Sequence, residues 1–246
     1  MKNLKIKGMI LSSAILISLA VPATLSHADD VNVPDTVTEG IPTSYVVQNG
    51  EQSLENVLST VSDNIDVNTS EQSISLENTA QLANSISQTD IDNINALSAT
   101  QGLPSNLTKD NFVQTIDDKV TELNQQVQDG QLEVDSNGQL TNTSDSSFYV
   151  QGGSTKDITY WWGKARYKST ANANKWAAQL NGLAAVNAGV GVVDGAIFGA
   201  VGAIPNGLTS AYCWGLSNSI SYRNSLNSRG IIANITWVLA YSIRSQ

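Results

Sequence analysis

Gly182–Pro205 reads GLAAVNAGVGVVDGAIFGAVGAIP, and half of its twenty-four residues are glycine or alanine. Asn187 and Asp194 are its polar interruptions, and Gly191, Gly195, Gly199 and Ala203 recur every four residues. Drawn as a helix, this row makes one nearly flat face that lets another helix approach closely. Each interior glycine costs about 1 kcal/mol relative to alanine, so such a helix needs a close-packed partner or a membrane. At full length it would extend about 36 Å, enough to cross a hydrocarbon core of roughly 30 Å. Asp194 opposes that reading, because a carboxylate at midspan costs about 2.5 to 3.5 kcal/mol. The other reading makes the stretch the close-packed core of a soluble domain with Asp194 at a wet edge.

The flanks give the stretch its context. Ala171 to Ala184, capped by Ser169 or Thr170, leads into it as a helix that the stretch continues, with room for a bend between Asn187 and Gly191. Pro205-Asn206-Gly207 is a turn signal, after which Leu208 to Leu226 resumes helical spacing. An antiparallel helical hairpin with small residues inward is the expectation. Outside it, Ile158–Lys168 and Ile231–Ile243 both alternate as long strands, and each needs a pairing partner, so the two are expected side by side. In the first, Trp161, Gly163, Ala165 and Tyr167 form the side fit for burial. Trp162, Lys164, Arg166 and Lys168 form an aromatic and cationic side, a candidate surface-binding row.

The net charge of −9 hides two halves of opposite sign. Residues 29–150 hold twenty acidic residues against Lys109 and Lys119, a balance of −18, whereas residues 151–246 hold eight basic residues against Asp157 and Asp194, a balance of +6. Such asymmetry points to a basic unit with its own partner: an anionic surface, the acidic half itself, or a second copy. A boundary is expected near residue 151, with a small-residue linker over residues 141–153. In the acidic half, Asp29–Gly50 reads as an extended leader and Leu54, Val57, Leu58, Val61 and Ile65 as a short helix. The run from Ile74 to Leu97 is equally open to helix and disorder. Thr108 caps the best helix, striped by Phe112, Ile116, Val120, Leu123 and Val127, and Gln131–Thr141 reads as a hairpin.

Residues 1–28 have the form of an export signal: Lys2, Lys5 and Lys7, an apolar centre from Met9 to Val21, and Ser26-His27-Ala28 before the expected cut. That cut removes His27, the sole histidine, which excludes histidine-based triads and metal sites. Cys213 is the sole cysteine, so no intramolecular disulfide forms; in its apolar context it reads as a small buried side chain. No spacing singles out a catalytic set, a cofactor site or a metal site, and an enzyme is not expected. A secreted address argues against nucleic acid as a partner.

Tyr160-Trp161-Trp162-Gly163, Ser221-Tyr222-Arg223-Asn224 and Gly230-Ile231-Ile232-Ala233-Asn234-Ile235-Thr236-Trp237 carry a resemblance. Over about residues 157–246 the chain resembles secreted Gram-positive large unmodified bacteriocins of the geobacillin type. The resemblance implies an antibacterial role and no catalytic residues. The combined expectation is an α+β protein: a mainly helical acidic region, which also reads as a pro-region, then a basic strand, helical hairpin, strand domain acting on a bacterial membrane or envelope component. The alternative is a non-catalytic secreted surface or interaction protein with the hairpin as its soluble core.

Overall fold

The structure, a computed structural model, describes residues 43–135, 138–142, 148–150, 152–186, 190–198 and 209–246. The expected export signal and the first part of the expected leader lie outside them. Within the described residues the chain is α+β, with seven helices, a two-stranded sheet and a seven-stranded antiparallel sheet.

Helix α1 (Thr43–Ser62) begins well inside the expected leader. Its partner α3 (Gln88–Thr100) explains the difference, because Ile91, Ile94 and Leu97 are fully buried and give α1 an apolar surface to lie on. The two helices touch where α1 carries Gly50: a Cβ there would run into the Cβ of Leu97 and lie 3.0 Å from the carbonyl oxygen of Asn93. Gly50→Ala is therefore expected to push the helices apart and destabilise the protein by about 1–3 kcal/mol; a denaturation midpoint equal to wild type would contradict this packing. Between the two helices come β1 (Ile65–Asn68) and β2 (Ser73–Leu76), an antiparallel hairpin, and α2 (Thr79–Ser85). The run open to helix or disorder thus folds as strand, helix and helix around buried Ile74, Leu82 and Ile86.

Helix α4 (Lys109–Gln128) matches its sequence signals. Thr108 accepts from the Asn111 amide at 3.1 Å and Asn111 Oδ1 accepts from the Thr108 amide at 2.7 Å, closing a capping box. β3 (Leu132–Val134) and β4 (Leu140–Asn142) form the expected hairpin.

The seven-stranded sheet continues through β6 (Gly153–Tyr160), β7 (Gly163–Lys168), β8 (Ile231–Thr236) and β9 (Tyr241–Ser245), with β5 (Phe148–Val150) on β6. β7 and β8 are neighbours, as the flanking strands require. Each expected long strand is a hairpin instead. Ile158–Lys168 turns at Trp161-Trp162, and Ile231–Ile243 turns between Trp237 and Ala240. The two turns hold each other: the Trp237 amide donates to the Trp162 carbonyl at 3.1 Å and Trp237 Nε1 to the Trp161 carbonyl at 2.7 Å. At the first turn a Cβ on Gly163, whose φ is +155°, would run into the Ile235 carbonyl, so a side chain is excluded there.

The boundary near residue 151 does not separate two cores. β4 reaches β6 through the Leu140–Thr159 pair, and one hydrophobic cluster runs from Leu54 to Ile243. Gln101, buried at the end of α3, donates to the Tyr241 carbonyl at 2.7 Å and accepts from its amide at 3.1 Å. Strands β4, β5 and β6 occupy part of the stretch expected as linker.

Three helices follow β7: α5 (Thr170–Ala185), α6 (Val190–Phe198) and α7 (Ser210–Ser225). The antiparallel hairpin forms between α5 and α7. Ser217 Oγ donates to the Ala177 carbonyl at 2.8 Å, and Asn224 Nδ2 donates to the Thr170 carbonyl at 3.0 Å and to Asn174 Oδ1 at 2.8 Å. Cys213 is buried in this interface region, and burial pushes its thiol up from the usual range. The glycine-rich stretch does not prolong α5: helix α5 ends at Ala185 and α6 is a separate nine-residue helix. No helix among the described residues is long and apolar enough to cross a membrane.

Candidate functional site

The chemistry gathers where the C-terminal end of α6 meets strand β7. A helix leaves its last carbonyls without partners in its own backbone. Here the strand supplies them. Lys164 Nζ donates to the Phe198 carbonyl at 2.6 Å, and Arg166 Nη1 donates to the Ala196 and Ile197 carbonyls at 2.5 and 2.7 Å. Trp176 Nε1 of α5 adds a second donor to Ala196 at 3.0 Å. Two cations also answer the negative end of the helix dipole. Lys164 is buried to 7% exposure, and the Arg166 guanidinium lies over the Trp176 ring at 4.5 Å.

Asp157 of β6 completes the cluster. It pairs across the hairpin with Arg166 and bonds Arg166 at 3.0 Å and Lys168 at 2.8 Å. Burial raises the Asp157 carboxyl, but the charges and hydrogen bonds of Arg166 and Lys168 outweigh it and hold the group below the usual carboxylate range. A depressed folded-state value contributes stability above the unfolded carboxylate pKa of about 3.9 and loses it as pH falls through the lower folded value. The stability gap between wild type and Asp157→Asn is thus expected to close as pH drops from about 5 towards 2. A gap independent of pH over that range would contradict the ion cluster.

Arg166, Lys164 and Lys168 share one face of β7, as the alternation requires, but that face is not a free binding surface: α6 engages Lys164 and Arg166, and Lys168 is half-buried against Asp157. Trp162 leaves the row because it sits in the turn, stacked on Tyr160 with ring centroids 5.1 Å apart. Asp157 and Trp176 were not singled out from the sequence as members of this cluster. For Asp157 a signal exists, since positions 157 and 166 are symmetric about the Trp161-Trp162 turn; for Trp176 there is none.

The packing row also separates. Gly191 and Gly195 lie in α6, whereas Gly199 and Ala203 fall outside the described residues. Val193, Ala196, Ile197 and Phe198 are buried, and Phe198 stacks on Trp237 with centroids 5.3 Å apart. Asp194 is half-buried. Gly195 is exposed, and a Cβ built on it meets nothing within 4 Å among the described residues. Among the described residues, a close helix contact at a glycine is made at Gly50.

No group of metal-ligating side chains occurs among the described residues. Comparison of the chain with known protein families, with curated proteins and with solved structures gives no match.

Proposed function

We propose that this is a secreted, bacteriocin-like antibacterial protein that acts on the membrane of related bacteria, with α6 held in a soluble fold until a membrane is reached. The observation that carries the reading is the open glycine of α6. Gly195 costs about 1 kcal/mol in a helix interior, and no neighbour among the described residues uses the space it leaves. A second state in which the Gly191, Gly195 and Gly199 row packs helix against helix would use it. The polar clasp on the α6 carbonyls supports the same reading, because it ties an apolar helix down by its end through bonds that can exchange for water or lipid headgroups.

Dye release from anionic vesicles by the mature chain tests the proposal. Gly195→Leu is expected to leave folding stability at or above wild type, because the position is exposed, and to cut release about tenfold, equivalent to roughly 1.4 kcal/mol of lost helix contact. Absence of release by the wild-type protein at micromolar concentration would overturn the reading.

A second reading has its own support. Ile197 and Phe198 are fully buried, so α6 also serves as core, as it would in a non-catalytic secreted interaction protein. Bacteria and vesicles unaffected by a folded, monomeric protein would favour it.

A further inference from the structure

Four of the five large apolar side chains exposed among the described residues belong to one layer, the outer side of the α5/α7 hairpin and its ends: Val186, Trp214, Tyr222 and Leu226, each between 56% and 72% exposed. Exposed apolar residues scattered singly need no explanation, whereas a concentration on one face does. Trp214 lies beside the C-terminal end of α5, lining a shallow apolar depression with Asn181, Ala184 and Ala185. Tyr222 and Leu226 occupy the opposite end of α7, where Asn224 bonds Thr170 and Asn174.

The charge on this layer has one sign. Neither α5 nor α7 contains an acidic residue. Lys175 on α5 and Arg229 just after α7 are exposed at the Tyr222 and Leu226 end. Arg223 is set apart, because it faces Glu51 of α1, where burial raises the carboxyl and Arg223 opposes the rise. On a chain of net charge −9, an acid-free face with two outward cations and an exposed tryptophan and tyrosine is the exception. Tryptophan and tyrosine rings settle at the headgroup level of bilayers, with their apolar bodies towards the acyl chains and their polar atoms in water. Lysine and arginine beside them are drawn to anionic headgroups.

We propose that the outer face of the α5/α7 hairpin is an interfacial docking surface for an anionic lipid bilayer, which seats the folded protein flat on the membrane through Trp214, Tyr222 and Leu226. This rests on the membrane reading above and specifies which face arrives first. Docking needs no helix to cross: α5 and α7 lie in the interface plane, with their buried sides still on the sheet. The surface contains neither α6 nor the clasp, so docking and any later release of α6 are separable.

The test is sedimentation of the full mature chain with vesicles of phosphatidylglycerol and phosphatidylcholine, against vesicles of phosphatidylcholine alone. Binding to the anionic vesicles is expected to exceed binding to the neutral ones. Lys175→Gln and Arg229→Gln are each expected to weaken it about fivefold, and Trp214→Ser with Tyr222→Ser to abolish it, with circular dichroism unchanged. In the folded wild type, nitroxide lipids are expected to quench a fluorescence component that Trp214→Phe lacks, since Trp161, Trp176 and Trp237 are buried and Trp162 is half-buried in the β6–β7 turn, away from this face. Equal binding to both vesicles, no binding to either, or undiminished binding by the Trp214 and Tyr222 double variant would overturn the proposal. So would a dimer in sedimentation velocity that Trp214→Ser dissolves, which would assign the face to a second copy. Docking without dye release would sink the proposed antibacterial mechanism and leave this surface standing.

Discussion

Replacing Trp237 by alanine is expected to destabilise the protein by about 3–5 kcal/mol, the range for a large aromatic lost from a packed interior. Trp237 is fully buried, and three parts of the fold converge on it. Its ring stacks on Phe198 of α6, and Lys119 of α4 sits over the ring with Nζ 5.5 Å from the centroid. Its indole nitrogen holds the Trp161 carbonyl across the paired turns. Trp237→Phe keeps most of the ring contact but leaves that carbonyl without its donor, and is expected to cost about 1–3 kcal/mol. Urea denaturation of the two variants separates packing from hydrogen bonding. If alanine and phenylalanine cost the same, the ring contacts described here do not carry the effect.

Arg166→Met is expected to cost about 3–5 kcal/mol, as removal of one partner from a buried ion network does. The methionine retains apolar contact with Trp176 but withdraws every donor from the Ala196 and Ile197 carbonyls that Arg166 supplied, and it leaves Asp157 to Lys168 alone. Its second effect lies on α6. With two of its end bonds removed the helix is held by Lys164 and Trp176, so amide hydrogen exchange over residues 190–198 is expected to quicken more than exchange in α4. Uniform acceleration across both helices would mean that Arg166 supports the whole fold equally and does not act as a clasp.

The residues that the sequence placed well are those whose local signal agrees with their tertiary setting. Thr108 and Asn111 cap α4, the stripe from Phe112 to Leu123 is buried, and β7 lies against β8. The misread strands have a clear cause. The central residues of their turns are Trp161-Trp162 and Trp237-Val238, side chains that continue an alternating pattern; Gly163 closes the first turn but falls in step with that alternation, and no turn-forming glycine, asparagine or aspartate stands at the second. Those turns are fixed by bonds to each other, a contact between positions more than seventy residues apart that no local window contains. Leu239 shows the same override: it adopts φ +70°, unusual for leucine, while its carbonyl accepts from Tyr212 at 2.8 Å.

The site was legible in part. Alternation put Lys164, Arg166 and Lys168 on one face, and charge counting made that face cationic. Neither could say what would cover it. The answer, the carbonyl end of α6, depends on where a nine-residue helix docks, which the composition of Gly182–Pro205 does not specify. Gly50 is a further case, since a lone glycine amid polar residues marks a close helix contact that no local signal announces.

The central claim is that α6 lies against the sheet in water and leaves it for the bilayer. Gly195→Cys tests it most directly, because the position is exposed and the native Cys213 is buried and out of reach of a labelling reagent. An environment-sensitive fluorophore at position 195 is expected to report water in buffer, then to shift to the blue and become quenched by nitroxide lipids when anionic vesicles are added. A label that stays in water while the protein binds the vesicles and releases their dye would contradict the claim.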